Sequence, residues 1–554
     1  MHALLFLVVS LVAFYLSYRF YANYLARKIW QVKPDQVTPA TVRDDGFEFV
    51  PSRPELVAGH HFTSIAGAGP ILGPIVAAIW GWVPALLWVI FGTIFIGAVH
   101  DFGALMTSLR HQGRGLADYL NDLLGRRATQ LMYGVVFFLL VLVCAVFIHV
   151  IATLAHAYPA AVYSIWVEIP LALIIGWGLR KGWKVNPIIS GLIAVAVMYA
   201  MVPVGLAYPL QLPYATWVWV LLAYIVVATR LPVWSLVQPR DFINGIQLII
   251  ALVVISAGIA VLALAGGGQL VAPAIRLAPP GAPPIWPFVM ITIACGAVSG
   301  FHSLVAGGTT SKQLRSEGDA KFVGFGSMLA EGYLAVIALL TAVVGLGVAG
   351  YEQFYAAWGA ARWPVVWAEG GAAFLVPLGF PVALAAALFA VVAKSFAMTT
   401  LDSAMRFTRI VTAEFASTFR LPAWFQDRSV SLIPGLAAVM FLALPRAGRL
   451  PLGMDLWPLF GASNQILAAL ALLAAAVFLM SLRRPILAYV IPFVIMVVTS
   501  MTAMAYSVIT TYIPRGNWTL AVIGIIVFLC SLGVIGIAFR VWRKGAPASP
   551  NIAD

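Results

Sequence analysis

Ionisable side chains stand inside long apolar runs of this sequence, where a group cut off from water can bind or release a proton. Lys394 and Asp402 lie eight residues apart in one such run, and Glu331 and Asp101 interrupt two others. A charged side chain at the centre of a membrane helix costs about 2.5–3.5 kcal/mol on the translocon scale, so such residues usually serve a function. We predict that they bind and release a coupling proton, with Lys394 the first candidate, followed by Asp402, Glu331 and Asp101.

Hydroxyl side chains lie close to the helix face that Lys394 and Asp402 share. Thr399, Thr400 and Ser403 would offer oxygen ligands to a cation at this face, since eight residues are a little over two helical turns. A second interpretation needs no ion: Asp402 caps the end of its helix, and the long stem of Lys394 carries the ammonium to the membrane interface.

Two other apolar segments are interrupted, one by glycine and proline in residues 59–74 and one by glycine, serine and histidine in residues 294–313. Inside a helix each Gly costs about 1 kcal/mol and each Pro about 3 kcal/mol relative to Ala. Backbone groups freed by such breaks persist in a bilayer only where they face protein or a watery cavity, and the new helix N-termini attract anions. The predicted substrate-binding residues, near mid-membrane, are Gly67, Ala68, Gly69, Ser299, Gly300 and His302. The alternative is a face of small residues that lets helices pack closely.

Paired histidines, His60 and His61, stand at the start of the first interrupted segment, at the mouth of the span expected over residues 62–80. Histidine titrates near neutral pH, so the pair could gate the inner side of a pathway, or it could donate hydrogen bonds that fix the start of the helix. A metal site that joins them to His100, Asp101 and His302 is disfavoured, because adjacent histidines are poorly spaced for chelation and HExxH is absent from the sequence. We therefore predict no metal, no cofactor and no catalytic residue.

The elements that hold these residues must be membrane helices. Hydrophobic residues make up 62% of the 554 residues and charged residues only 10%, whereas soluble domains are about 25% charged. At roughly 20 apolar residues per span, the sequence predicts an all-α polytopic membrane protein with about 15 transmembrane helices, in a range of roughly 14–18. The expected spans are residues 3–25, 62–80, 84–106, 131–155, 164–179, 187–205, 215–229, 243–265, 287–307, 323–350, 372–400, 430–445, 459–481, 486–507 and 519–539.

The distribution of basic residues predicts the orientation of these spans. Loops on one side hold 26 of the 33 Lys and Arg residues, and loops on the other side hold five. Because cytoplasmic loops are enriched in Lys and Arg, we expect the N-terminus outside and the C-terminus in the cytoplasm. The net charge of +13 is thereby explained without a nucleic-acid partner.

Taken together, these segments resemble the carbon starvation protein A (CstA) family. The resemblance rests on residues 59–74, 101–102, 299–302, 308–312, 400–402 and 460–465, and it extends from near residue 1 to about residue 510. It implies a carrier of the bacterial inner membrane that takes up peptides or pyruvate, with proton coupling suggested for pyruvate. A further likeness to the amino acid–polyamine–organocation superfamily implies an inverted five-helix repeat with two broken helices. In sodium-coupled relatives, the segment that holds Thr399, Thr400 and Ser403 would supply the hydroxyl ligands to sodium.

The expected organisation is one integral-membrane transporter domain over residues 1–540, followed by a short cytoplasmic tail over 541–554. The two halves of the core are expected at about residues 62–205 and 287–481. The extra helices are expected at about residues 1–26, 215–265 and 486–540.

We interpret the protein as a secondary active transporter that imports peptides or pyruvate by alternating access during carbon starvation. Its partners would be the substrate, a coupling proton or sodium ion, and the lipid bilayer. No GxxxxGK[ST] motif for ATP binding is present. A channel, a sensor and an intramembrane metal-dependent enzyme are the disfavoured alternatives.

Overall fold

The computed structural model describes residues 2–46, 48–183, 186–360, 362–444 and 453–544, and within these ranges the regular elements are helices without any β-strand. Eleven helices in the described ranges are long and apolar enough to cross a membrane, and a bent pair raises the number to twelve. Most of the predicted tail over residues 541–554 lies outside the described residues.

The helices that cross or enter the membrane are numbered in chain order. They are α1 (Ala3–Trp30), α2 (Pro54–Ile65), α3 (Gly69–Trp80), α4 (Trp82–Arg110), α5 (Arg126–Ala157), α6 (Pro159–Arg180), α7 (Pro187–Ala207), α8 (Tyr214–Ala228), α9 (Val237–Leu264), α10 (Ile285–Thr292), α11 (Phe301–Gly308), α12 (Glu317–Gly345), α13 (Val382–Thr418), α14 (Leu432–Ala443), α15 (Gly453–Ser481), α16 (Leu487–Tyr512) and α17 (Trp518–Lys544). Each predicted span overlaps one of these helices or a broken pair of them.

Several helix starts follow from local sequence. Pro54 and Pro187 occupy the first turns of α2 and α7, where the missing N–H of proline costs nothing. The side chain of Asn186 caps α7 by accepting a hydrogen bond from the N–H of Ile188 at 2.9 Å. With Pro54 in its first turn, α2 begins eight residues before the start that the sequence predicted, residue 62.

The predicted span over residues 372–400 is displaced in the structure. A turn that ends at Gly379 and the residue Pro381 stop the preceding short helices, and α13 runs from Val382 to Thr418. The φ of Gly379 is +91°, a conformation that residues with a Cβ rarely adopt. Asp402 and Ser403 therefore lie inside a long helix, and the interpretation of Asp402 as an interfacial cap is wrong.

The interior of the bundle consists of α5, α12 and α15. In the most apolar 18-residue stretch of each of these helices, 83%, 83% and 94% of the residues are buried inside the protein. The corresponding share in α1 and α7 is only 33%. The helices with exposed apolar faces lie at the periphery, as is typical of helices that face lipid.

Two helices are discontinuous at the positions where glycine and proline predicted breaks. The axes of α2 and α3 differ by 44° at residues 66–68, and α10 and α11 are separated by the non-helical residues 293–300. Helix α2 packs against α9 and α13, α3 packs against α12, and α11 packs against α4. Helix α9, expected among the extra helices, is thus a direct neighbour of the first break.

Candidate substrate and coupling site

The first break contains three of the predicted substrate-binding residues. Gly67 donates its backbone N–H to the carbonyl of Ile65 at 2.9 Å, which turns the chain out of α2. The carbonyl of Ala68 accepts from the N–H of Leu72 at 2.9 Å, and Gly69 is the first residue of α3. Gly67, Ala68 and Gly69 are all buried, so the predicted break is present and faces protein rather than lipid.

The second break is held by Asn464 of α15. The Oδ1 of Asn464 accepts from the N–H of Phe301 at 2.9 Å, its carbonyl accepts from the N–H of Gly300 at 3.0 Å, and its Nδ2 donates to Ser299 Oγ at 2.9 Å. In this conformation Asn464 occupies the backbone donors that the sequence predicted for a substrate carboxylate. A carboxylate can reach them only after α15 moves away from the N-terminus of α11.

The two breaks lie side by side. A Cβ atom added to Gly69 would stand 2.5 Å from the Sγ of Cys295, which is closer than any real contact. The absence of a side chain at Gly69 therefore allows α3 to pack directly against the non-helical segment that precedes α11. Since no gap separates the breaks here, the structure is a closed conformation at the predicted substrate site.

A buried cluster of histidine and acidic side chains adjoins the second break. His302 Nδ1 lies 2.9 Å from Asp101 Oδ2, and His100 Nδ1 lies 2.8 Å from Asp101 Oδ1. His302 Nε2 lies 3.4 Å from Glu331 Oε2. All four side chains are buried, and they come from α4, α11 and α12. The structure thus brings together His302, predicted to bind substrate, and two acids predicted to exchange protons.

A second buried network surrounds Arg240, which the sequence analysis assigned to a loop. Arg240 Nη1 lies 2.7 Å from Asp402 Oδ2, and Arg240 Nε lies 3.7 Å from Glu168 Oε1. The hydroxyl of Tyr224 donates to Asp402 Oδ2 at 2.8 Å and also contacts Arg240 Nη1. The partner of Asp402 is therefore Arg240, and the network ties α6, α8 and α9 to α13.

A sequence signal for this network exists. Arg240, Asn244 and Gln247 are spaced at i, i+4 and i+7, which places three polar side chains on one face of α9. All three are buried in α9. The predicted span began at residue 243, three residues after Arg240, and this boundary concealed the pattern.

His60 and His61 are completely buried near the end of α2 rather than at the mouth of a span. His60 Nδ1 lies 2.6 Å from Asp241 Oδ2, and its Nε2 lies 3.0 Å from Thr309 Oγ1. His61 Nδ1 lies 2.8 Å from Thr310 Oγ1. Their expected position was wrong, because Pro54 starts the helix earlier than the apolar run does. The gating role stays a prediction.

Lys394 and the hydroxyl side chains of α13 contact different parts of the protein. Lys394 Nζ donates to the backbone carbonyl of Tyr158, which follows α5, at 2.8 Å. Thr399 Oγ1 and Thr400 Oγ1 point at the carbonyls of Thr63 and Ser64, at 3.3 and 3.4 Å. The buried Ser403 follows Asp402 on the same helix. The hydroxyls thus adjoin the last turn of α2, as ion ligands would.

The described part of the chain does not arrange side chains as a metal site requires. No group of three or more His, Cys, Asp or Glu side chains there is arranged to hold a metal ion.

The fold and the candidate site together define a class of protein. A multi-pass helical bundle with two broken helices, whose breaks meet beside buried ionisable groups, is the architecture of a membrane carrier. The comparisons then identify the family: the chain belongs to the carbon starvation protein CstA family, whose model matches residues 2–363 and 364–503.

Relatives of this chain are named transporters, which excludes an enzyme as its class. The chain is 32% identical to the peptide transporter CstA of Escherichia coli (strain K12), over 91% of this chain and 80% of the relative. It is 30% identical to the pyruvate/proton symporter BtsT of the same organism, over 87% and 78%.

A solved structure supports the fold class. The manganese transporter of Eremococcus coleocola, crystallised with an aromatic bis-isothiourea compound, aligns with a TM-score of 0.50 at 13% identity, over 90% of this chain and 99% of that one. At this identity the likeness concerns the fold alone. It confirms the predicted all-α transporter fold.

Proposed function

We propose that this protein imports a small organic nutrient, a peptide or pyruvate, across the bacterial inner membrane by alternating access, and that protons drive the import. The names of the relatives support this substrate class. The family's name supports a role in the response to carbon starvation.

One observation supports a proton-coupled carrier above all: two helix breaks meet beside a fully buried cluster of titratable side chains. The contact between Gly69 and Cys295 must open for substrate to enter between α3 and α11. His302 lies in the first turn of α11, directly after the second break, and also belongs to the titratable cluster, so a change of protonation there would act next to the substrate site. The candidate coupling residues remain Lys394, Asp402, Glu331 and Asp101.

The binding mode that we propose uses backbone rather than charged side chains. Helix N-termini carry partial positive charge, and those of α3 and α11 start at the two breaks. A substrate carboxylate would replace Asn464 at the N–H groups of Gly300 and Phe301. This exchange would couple substrate binding to a displacement of α15.

The orientation that we propose has the N-terminus outside and the C-terminus in the cytoplasm. It rests on the excess of Lys and Arg in the loops of one side. Tagging each terminus and labelling intact cells with an impermeant reagent tests it, because only the N-terminal tag should react.

Sodium is the alternative coupling ion, and one observation favours it. The Thr399 and Thr400 hydroxyls lie 3.3 and 3.4 Å from the carbonyls of Thr63 and Ser64 in the last turn of α2, although Thr399 also donates to the carbonyl of Phe396 at 2.9 Å. Replacing external sodium by choline separates the alternatives. Proton-coupled uptake persists in choline, and sodium-coupled uptake stops.

The substrate is tested by competition in proteoliposomes. We expect saturable uptake of labelled pyruvate or of a labelled dipeptide, with the true substrate displaced by its own unlabelled form. Failure of both compounds to enter above the level of empty liposomes would overturn the proposed substrate class.

A further inference from the structure

The carboxyl group of Glu331 is the least supported acidic group of the buried cluster. The residue is fully buried on α12, and neither carboxyl oxygen has a hydrogen-bond partner among the described residues. The nearest titratable atom is Nε2 of His302 at 3.4 Å, which also has no hydrogen-bond partner there. Two groups that normally need partners therefore face each other.

The rest of the cluster determines which atoms of His302 carry hydrogen. An ionised Asp101 can only accept hydrogen bonds, and its Oδ2 and Oδ1 face His302 Nδ1 and His100 Nδ1, so both imidazoles then carry a hydrogen on Nδ1. A neutral His302 ring then presents a lone pair at Nε2. An ionised Glu331 would present a second lone pair to it, and no hydrogen would lie between the two atoms.

Electrostatics favours the binding of one additional proton between Glu331 Oε2 and His302 Nε2. An ionised carboxylate buried without a donor is far costlier than a neutral acid, and it takes up a proton instead. Asp101 supplies a negative charge to the other side of the same imidazole, and like charges repel strongly in a medium of low dielectric constant. The other titratable groups near the cluster are His61 on α2, His100 on α4 and Cys295 at the second break.

We propose that Glu331 and His302 together form the binding site of the coupling proton, held between Glu331 Oε2 and His302 Nε2. The proton sits on either atom, as a carboxylic acid that donates to a neutral imidazole or as an imidazolium that donates to a carboxylate. This inference rests on the proposed function in one respect, namely that transport is coupled to protons.

The position of His302 explains how this proton acts on transport. His302 is the second residue of α11, two positions after Gly300 at the second break. When the proton leaves, Glu331 becomes a second negative charge beside the imidazole that Asp101 already contacts. The repulsion and the lost hydrogen bond weaken the contact of α11 with α12. The charge of this pair therefore acts on α11 next to the break through which substrate must pass.

The test uses the full-length protein in liposomes. Glu331→Gln keeps the shape of the side chain and supplies a permanent donor to His302, so the site behaves as always protonated. We expect this variant to keep exchange of labelled against unlabelled pyruvate and to lose accumulation driven by a pH gradient. His302→Gln should lose the same accumulation. Glu352→Gln, the same change at an exposed residue, should accumulate pyruvate as the wild type does.

If Glu331→Gln is inactive in both assays, infrared spectroscopy still tests the proposal. The measurement is the difference between the spectrum of the wild type and that of the variant. A carboxylic acid or imidazolium band that disappears in the variant supports the proposal. Spectra with an ionised carboxylate and a neutral imidazole at neutral pH overturn it, as does undiminished gradient-driven accumulation by a folded variant. If the wild type shows no proton coupling, the proposed function fails, and the same spectra still decide whether this pair holds a proton.

Discussion

Removing Arg240 should destabilise the protein strongly, because its guanidinium lies at the centre of a buried ionic network. The side chain is 1% exposed and lies 2.7 Å from Asp402 and 3.7 Å from Glu168, which are also 1% exposed. Breaking a buried ion pair by removing one partner costs about 3–5 kcal/mol, since the remaining charge is left without compensation. We expect Arg240→Met to lower the free energy of unfolding by about this amount.

The double variant Arg240→Met with Asp402→Asn distinguishes this reasoning from a simple loss of packing. It removes the cation and its closest anion together, so it should recover most of the lost stability. Glu168 remains and keeps the recovery incomplete.

Reversible unfolding in mixed detergent micelles measures these differences. Arg114→Met is the matched control, since Arg114 pairs with Asp122 at a similar distance of 2.8 Å but is 49% exposed. Such exposed pairs contribute about 0–1 kcal/mol. The reasoning is refuted if Arg240→Met costs no more than Arg114→Met, or if the double variant is as unstable as the single one.

Three further substitutions test the site. Gly69→Leu should abolish substrate binding and uptake while expression stays intact, because a side chain at this position meets Cys295. An unchanged affinity for substrate would contradict the placement of the substrate site at the first break. The double variant of His60→Gln and His61→Gln should keep the wild-type pH profile and unfold more easily, since both rings are buried among protein partners. A profile that flattens between about pH 5.5 and 7.5 would instead support gating. Lys394→Ala should keep uptake driven by a pH gradient if Glu331 and His302 hold the proton, and uncoupled uptake would assign the proton to Lys394.

The breaks in the helices could be predicted from sequence because their cause is local. Proline lacks an N–H and glycine lacks a side chain, so a cluster of them around Gly69 favours a helix break, although Gly73 and Pro74 of the same segment lie inside α3. The apolar runs likewise predicted where the membrane-length helices lie, although the span expected over residues 372–400 is displaced to Val382–Thr418, because the bilayer imposes the length of a span independently of the tertiary fold.

The partners of the buried charges could not be predicted in the same way. Asp402 was recognised as a buried acid, but its partner Arg240 is 162 positions earlier and was assigned to a loop. Asn464 lies in a recognised motif, yet its hydrogen bonds to the second break depend on how α15 packs against α11. Such pairings are set by helix packing, on which hydropathy along the chain carries no information.

We propose above that this protein accumulates a small organic nutrient at the expense of a proton gradient. The direct measurement is the uptake of labelled pyruvate and of a labelled dipeptide into liposomes that contain the purified protein, without sodium and with an imposed pH gradient. One of the two compounds should reach a higher concentration inside than outside, and a protonophore should abolish this accumulation. Uptake that never exceeds the external concentration, or accumulation that requires sodium and ignores the pH gradient, would contradict the proposal.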